Sequence, residues 1–396
     1  MRKIIKYINK LLLWVIYPIG YLFKRDGSIW VFGGYGGFTD NTRYLYESVN
    51  QHDDIRCIWI SDKRKLVDFI RSKGYEAYTK NSIKGLYFCF KAKVYIYSNY
   101  VSTINFYTSA GAVLVNLWHG TPLKKIEYDI QKLPLYSYFK GANFFIKLLM
   151  PEKHVKCSLI LSPSSFVYEY SFKTAFRVFD PRCVIIADPP RISNLIEKYN
   201  KKITATDPSE GKVSKVFLYA PTWRDDRSDF ISASGMDFDE LDSFLLLNNA
   251  LLYIRLHPNT NLCIDISKLN NIVIVDCHQP VEDNLLNSDF LITDYSSIYF
   301  DYLYLNKPII FFPFDLYEYT ASRDLYLKYE DVTPGIKVFT QKELISEMRK
   351  LLDGEDSWAK SRSDISSKFC SLERRGDTYI IKRVQEYIYD NQKNIQ

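Results

Sequence analysis

An α/β fold in two parallel-sheet domains is what this sequence predicts, on three observations. Short runs rich in Val, Ile, Tyr and Phe alternate with helical patterns along the chain, as parallel strands with helical crossovers do. The 396 residues, 47% hydrophobic, exceed one ordinary core and suit two domains of roughly 150–200 residues each. A polar stretch, 198–215, carries Lys201-Lys202, Thr204, Thr206, Asp207-Pro208-Ser209 and Glu210-Gly211-Lys212 without buried periodicity, and reads as a linker between them. The expected divisions are a terminal segment over 1–25, one domain over 26–200, and a second over 201–396 that includes the C-terminal helices. Two open sheets in tandem leave a cleft between them.

The terminal segment holds Arg2, Lys3, Lys6, Lys10, Lys24 and Arg25 and no acid, so these six account for the net charge of +6. The remaining basic residues balance the 46 Asp and Glu, and a neutral body is not a nucleic-acid-binding surface. Ile4, Ile5, Ile8, Leu11, Leu12, Val15 and Ile16 recur at helical spacing opposite Lys3, Lys6 and Lys10, with Trp14, Tyr17 and Tyr21 following. Bases toward headgroups, aliphatics toward acyl chains and aromatics at the boundary predict an amphipathic helix lying in an anionic membrane surface. The apolar run 11–23 is broken by Pro18 and is shorter than the ~20 residues needed to span. A signal peptide shares the order of basic and apolar regions, but this run ends in Lys24-Arg25-Asp26 rather than in a small-residue cleavage site. A plain packed helix is the other alternative.

In the first domain, strands are expected at 29–32, 55–60, 94–97, 113–117, 159–161 and 184–187, and helices around 41–49, 65–72 and 166–176. The second domain begins with strands at 216–220, 251–256, 272–275, 290–293 and 308–312, followed by helical patterns at 341–352 and 379–389. Tyr (32) and Phe (25) are abundant and mostly core. The seven cysteines are scattered, odd in number and free of CxxC pairs, so neither a zinc site nor a disulfide framework is indicated. Cys57 and Cys183 sit in apolar runs as buried thiols, which fits a reducing compartment.

In open α/β sheets ligands bind beyond the carboxyl ends of strands, and here the polar clusters fall at those ends. Strand 113–117 runs into Trp118-His119-Gly120-Thr121-Pro122-Leu123-Lys124-Lys125, and strand 216–220 into Pro221-Thr222-Trp223-Arg224-Asp225-Asp226. Strand 251–256 carries Arg255 and ends at His257-Pro258-Asn259. Strand 290–293 ends at Asp294-Tyr295-Ser296-Ser297, where a new amphipathic run begins at once. Serine hydroxyls and unpaired N–H groups at a strand-to-helix junction make an anion pocket. The plainer alternative has Ser296 as a helix cap and Asp301 as a solvated helix residue.

Of five histidines, His119 and His257 stand at strand ends on opposite halves, while His52, His154 and His278 lack that setting. Imidazole titrates near neutrality, so one could take a proton from an attacking hydroxyl while the other stabilises phosphate charge. Gly120, Thr121, Lys124, Thr222, Arg255, Ser296 and Ser297 are the hydrogen-bond donors a pyrophosphate needs. Gly33-Gly34-Tyr35-Gly36-Gly37 lacks the spacing of either common nucleotide loop and reads as a flexible loop. No Asp-x-Asp pair accompanies these motifs, so no metal and no cofactor is expected.

Taken together, Trp118–Lys124, Ala220-Pro221-Thr222-Trp223-Arg224, Arg255-Leu256-His257-Pro258 and Thr293-Asp294-Tyr295-Ser296-Ser297 resemble, in order, the motifs of the CDP-glycerol glycerophosphotransferase family of teichoic-acid and capsule synthesis. The resemblance covers about residues 28–385. It implies a GT-B-like pair of Rossmann-like domains held peripherally at the cytoplasmic face of the membrane, with 26–200 on the acceptor side and 201–396 binding CDP-glycerol or another CDP-polyol. It implies His119 and His257 as catalytic residues, and Gly120, Thr121, Pro122, Leu123, Arg191, Pro221, Thr222, Arg255, Leu256, Ser296, Ser297 and Asp301 as substrate-binding positions. Two departures stand out: Ala187-Asp188-Pro189 precedes Pro190-Arg191 where the family tends to have Gly, and Arg323-Asp324 stands where Arg-Gly is common.

The expected reaction is attack by a hydroxyl of a lipid-linked or polysaccharide acceptor on the β-phosphorus of a CDP-polyol, releasing CMP, with His119 the expected base. Glycerol or ribitol, and single-addition primase or short polymerase, stay open. A GT-B glycosyltransferase using a nucleotide sugar and a non-catalytic polymer-binding scaffold at the membrane are the alternatives.

Overall fold

The computed structural model describes residues 13–205, 214–224, 230–257, 260, 268–277, 279–371, 373 and 375–393. By internal packing the chain forms two compact units. The first comprises 1–119, 125–193 and 371–396; the second comprises 120–124 and 194–370.

The first unit is built on seven parallel strands among the described residues: β1 (Asp26–Gly33), β2 (Arg56–Ser61), β3 (Ala77–Thr79), β4 (Ala92–Tyr97), β5 (Val113–Asn116), β6 (Leu159–Ser162) and β7 (Val184–Ile186). They lie in the order β3-β2-β1-β4-β5-β6-β7, all parallel. The side-chain period of two sends Trp30 and Phe32 of β1 to one face and Ile29 and Val31 to the other. Each face has its own apolar cluster, which is why the strands read as continuous hydrophobic runs.

The second unit repeats the plan with β8 (Lys215–Tyr219), β9 (Ala250–Ile254), β10 (Ile272–Ile274), β11 (Phe290–Thr293), β12 (Ile309–Phe311) and β13 (Ile336–Lys337), in the order β10-β9-β8-β11-β12-β13. Helix Gln341–Leu352 starts at a reciprocal cap: Glu343 N–H donates to Thr340 Oγ1, and the Glu343 carboxylate accepts from Thr340 N–H. Two parallel α/β domains are thus present, as the sequence predicts.

Several details differ from expectation. β3 and β13 were not foreseen, because Ala-Tyr-Thr and Ile-Lys do not form apolar runs as the other short strands do. The helical pattern 166–176 is one helix interrupted by a π-helical turn over Tyr168–Phe172. The polar stretch beginning at 198 is not a linker as far as it is described, since helix Pro190–Ala205 runs through its first eight positions; residues 206–213 lie outside the described residues. Lys201 pairs with Glu197 one turn back and Lys198 reaches Asp283 at 3.0 Å, so charges that look like a solvated tract sit on a helix side.

The C-terminal helices divide. Ala359–Phe369 packs in the second unit against helix Ile298–Leu303, whereas Asp377–Lys393 buries Ile380, Ile381, Val384 and Ile388 in the core of the first. Of the two helices expected in the second domain, Gln341–Leu352 is there and Asp377–Lys393 belongs to the first unit; Ala359–Phe369 was not foreseen.

Most of the predicted amphipathic helix, residues 1–12, lies outside the described residues. The rest of the terminal segment forms a short helix, Ile16–Ile19, and a 3-10 turn. Trp14 and Tyr17, expected at a membrane boundary, pack on their own unit: Trp14 Nε1–H donates to Leu148 O at 2.8 Å, and Tyr17 stacks on Phe106. Arg25 also turns inward, donating to Ala92 O, Thr108 O and Ala110 O at 2.6 Å each. Val15, Tyr21 and Leu22 remain exposed. Among the described residues no helix is long and apolar enough to cross a membrane.

Candidate functional site

In the second sheet the chain leaves β8 toward β9 and β10, then crosses back to place β11 on the other side of β8. The loops after β8 and β11 therefore part company, and a crevice is expected beyond their carboxyl ends. A cavity of about 400 Å³ opens there. Pro221, Thr222, Leu256, His257, Ser296 and Ser297 line it, as expected from sequence. Lys124, Trp223, Tyr319 and Arg323 complete much of its wall. Asp225, Asp226, Pro258 and Asn259 lie outside the described residues.

A buried ionic cluster fixes this wall. Arg224 donates to Asp294 Oδ2 at 3.0 Å and to both oxygens of Asp315 at 2.7 and 2.8 Å. Asp294 Oδ1 also accepts from Thr222 N–H at 2.8 Å, tying the end of β8 to the end of β11. Tyr295 donates to Asp315 and stacks on Tyr319 with ring centres 3.9 Å apart. Arg224 and Asp294, which the sequence shows only as members of motifs, are thus structural partners. Asp315 was not foreseen, because its role depends on a contact 91 residues away.

The polar atoms around the cavity differ in kind. Thr222 Oγ1 and Trp223 Nε1 are buried with no hydrogen-bond partner among the described residues. Both atoms are closed off from solvent and so are not open to a ligand in the cavity. Helix Ile298–Leu303 has only six residues, so its attraction for an anion lies in first-turn N–H groups rather than in a long dipole. Ser297, its N-cap, makes no side-chain cap bond, and Ser296 Oγ accepts only a long 3.4 Å bond from Ile298 N–H. The capping alternative for these serines therefore finds little support.

Arg255 lines the cavity, but its guanidinium is engaged: Nη1–H donates to Asn284 Oδ1 and Asp276 O, and Nη2–H to Cys277 O and Gln279 O. Three of these bonds go to the carbonyls of Asp276, Cys277 and Gln279 and the fourth to the Asn284 side chain. His257 is exposed at the cavity and stacks on Trp223, with centres 5.5 Å apart. Partial desolvation and then the Lys124 ammonium lower its pKa from the ordinary imidazole value. Asp301 is buried in its helix and is not among the residues lining the cavity.

Gly120–Lys124 packs with the second unit. Gly120 has φ +154°, where a side chain is disfavoured, and Thr121 and Leu123 are buried. Leu123 O accepts from Tyr326 N–H at 3.0 Å, and Lys124 forms a β-bridge with Leu325. Lys124 is thereby delivered to the cavity wall, whereas Gly120, Thr121, Pro122 and Leu123 are not among its lining residues.

His119 belongs to the first unit, beyond β5. Its Nδ1 lies 3.0 Å from Ser98 O, and because a carbonyl only accepts, Nδ1 carries the proton and Nε2 is left as a base. Desolvation lowers the ring's pKa, while the Asp40 carboxylate pulls it upward. The preceding Trp118 has φ +48°, a conformation costing a bulky residue about 1–3 kcal/mol. Two asparagines hold it there: Asn116 Oδ1 accepts from Trp118 N–H, and Asn41 Nδ2–H donates to Trp118 O.

Arg191 completes this frame, donating to Asp40 Oδ1 at 3.0 Å and to His119 O at 2.8 Å. It fixes the backbone that carries the histidine. Asp40, Asn41 and Ser98 escaped the sequence reading, because their part is defined by partners 21 to 151 residues distant. Gly33 and Gly34 have a packing reason: a Cβ on Gly33 would lie 2.7 Å from Ile104 and one on Gly34 2.5 Å from Gly37 O.

The model of the family described as CDP-glycerol:poly(glycerophosphate) glycerophosphotransferase matches residues 21–389. The teichoic acid glycerol-phosphate transferase of Staphylococcus aureus is 28% identical over 360 residues, spanning 85% of this chain and 86% of that protein. The teichoic acid poly(glycerol phosphate) polymerase of Bacillus spizizenii is 27% identical over 382 residues, spanning 92% and 93%. Among solved structures, the wall teichoic acid polymerase TagF matches with TM-score 0.73 at 22% identity, over 100% of this chain and 98% of that chain, and so shares the fold.

Proposed function

The chain belongs to the CDP-glycerol:poly(glycerophosphate) glycerophosphotransferase family, and on that premise we propose that it transfers glycerol phosphate from CDP-glycerol to a hydroxyl of a lipid-linked or polysaccharide acceptor. The observation that carries this reading is the 400 Å³ cavity at the switch point of the second sheet, where Lys124, Thr222, His257, Ser296 and Ser297 line one space. Cationic and hydroxyl groups of this kind suit a pyrophosphate. In the reaction the acceptor oxygen bonds to the β-phosphorus, the bond from that phosphorus to the CMP oxygen breaks, and CMP leaves with the electron pair. His119 Nε2 takes the hydroxyl proton. His257 and the serine loop hold phosphate charge. Positioning and electrostatics carry most of such a rate.

Residues 1–25 hold the protein peripherally on the anionic cytoplasmic face of the membrane. Their uncompensated charge and the exposed Val15, Tyr21 and Leu22 support this part of the reading.

The test is incubation of purified protein with CDP-glycerol or CDP-ribitol, with and without membrane extract, following CMP. Acceptor-dependent CMP release with a phosphodiester product is expected from CDP-glycerol. Release from neither substrate, or a glycosidic product from a nucleotide sugar, overturns the reading.

A further inference from the structure

A second cavity, of about 370 Å³, lies at the other ends of the second sheet's strands. Lys215 opens β8, Asp289 immediately precedes β11, and Lys307 stands two residues before β12; Lys202 comes from helix Pro190–Ala205. Its lining thus gathers three ammonium groups and one carboxylate. The carboxylate is already engaged, since Asp289 pairs with Lys215 at 3.1 Å and accepts from Val216 N–H at 2.9 Å.

Lys202 and Lys307 both donate to Leu286 O near the end of helix Val281–Asn287, and Lys307 also to Ser288 O at 2.6 Å. Binding helix-end carbonyls is an ordinary use of lysine. Lys215, held by Asp289, brings a third ammonium to the same open cavity. Lys307 bears the cost of this crowding: burial, then the charge of Lys202, lowers its pKa to about 8. Tyr199, Ile203 and Leu286 give the same cavity an apolar side.

We propose that this cavity binds a phosphodiester chain, its phosphates against Lys202, Lys215 and Lys307 and its short carbon linkers against Tyr199, Ile203 and Leu286. The proposal rests on the transfer reading, each round of which adds one phosphodiester link to the acceptor. The length of β8, five residues or about 17 Å at the usual rise, separates the two strand ends, so a small ligand cannot occupy both cavities whereas a polymer can. The site would retain chain already made while its end is extended.

The test titrates full-length protein, its first cavity saturated with CMP, with a synthetic oligo(glycerol phosphate) and separately with inorganic phosphate. The wild type is compared with Lys202→Gln, Lys215→Gln and Lys307→Met. Affinity for the oligomer should fall about tenfold for each charge-assisted bond lost. CDP-glycerol affinity and single-addition CMP release should not change, and products should shorten. Lys307 is partly buried and its variant can fail to fold, but Lys215 is half exposed and keeps the test decisive. Unchanged oligomer affinity in the Lys202 and Lys215 variants, or binding of inorganic phosphate with none of the oligomer, overturns the proposal. The titration needs no turnover, so failure of the transfer reading shows separately as absent CMP release.

Discussion

His119 and His257 both have lowered pKa values, and the direction sets a pH dependence. A base must be neutral, so activity should be intact near pH 7 and fall only as pH drops through values below the ordinary imidazole pKa of about 6.5. Asp40 raises the pKa of His119, so Asp40→Asn should move the acid limb of a kcat/KM profile to still lower pH. A limb that stays in place, or shifts upward, would contradict the arrangement around His119. The histidines were legible because each ends a strand and precedes a turn-forming residue. Ser98, Asp40 and Asn41 were not, since nothing local marks a carbonyl or carboxylate that will meet a histidine loop folded in from far along the chain. Arg191 and Arg255 were found as residues, but sequence does not reveal that their guanidiniums hold protein carbonyls.

At the scale of elements, the cavity wall depends on Arg224 bridging Asp294 and Asp315. Removing Arg224 leaves the Asp294 and Asp315 carboxylates uncompensated, so Arg224→Ala should cost about 3–5 kcal/mol in denaturant unfolding of the second unit. A loss below 1 kcal/mol would show that the cluster does not fix the wall. The serine loop is separable from this scaffold. Replacing Ser296 and Ser297 by Ala removes two hydroxyls but keeps the backbone N–H groups, so CDP-glycerol affinity should fall by a few kcal/mol at most in calorimetric titration, with the fold intact. Unchanged affinity would return the serines to a capping role. Eleven strands were readable as apolar runs, whereas Ala-Tyr-Thr of β3 and Ile-Lys of β13 are not apolar runs. Helix Pro190–Ala205 was read in part as linker because composition was weighed over the one-turn Glu197–Lys201 pairing.

For the whole molecule, the tandem of two parallel sheets was legible from alternation and length, and the family from four strand-end motifs in order. The return of the last helix to the first unit was not, because an amphipathic helix does not state which core it will cover. Membrane attachment is tested by removing 1–12 alone, since Trp14, Tyr17 and Arg25 are bound into the first unit. That deletion should shift the protein to the soluble fraction, and salt should weaken wild-type binding to anionic vesicles, charges being screened beyond ~10 Å at 0.1 M. Retention of the truncated protein on membranes regardless of salt would place the attachment elsewhere. The central claim is tested most directly by CMP release from CDP-glycerol with saturating acceptor, comparing wild type with folded His119→Ala. Turnover by the wild type and a loss on the order of 10²–10⁴ in the variant is the predicted result; near-normal turnover by the variant, or none by the wild type, would contradict it.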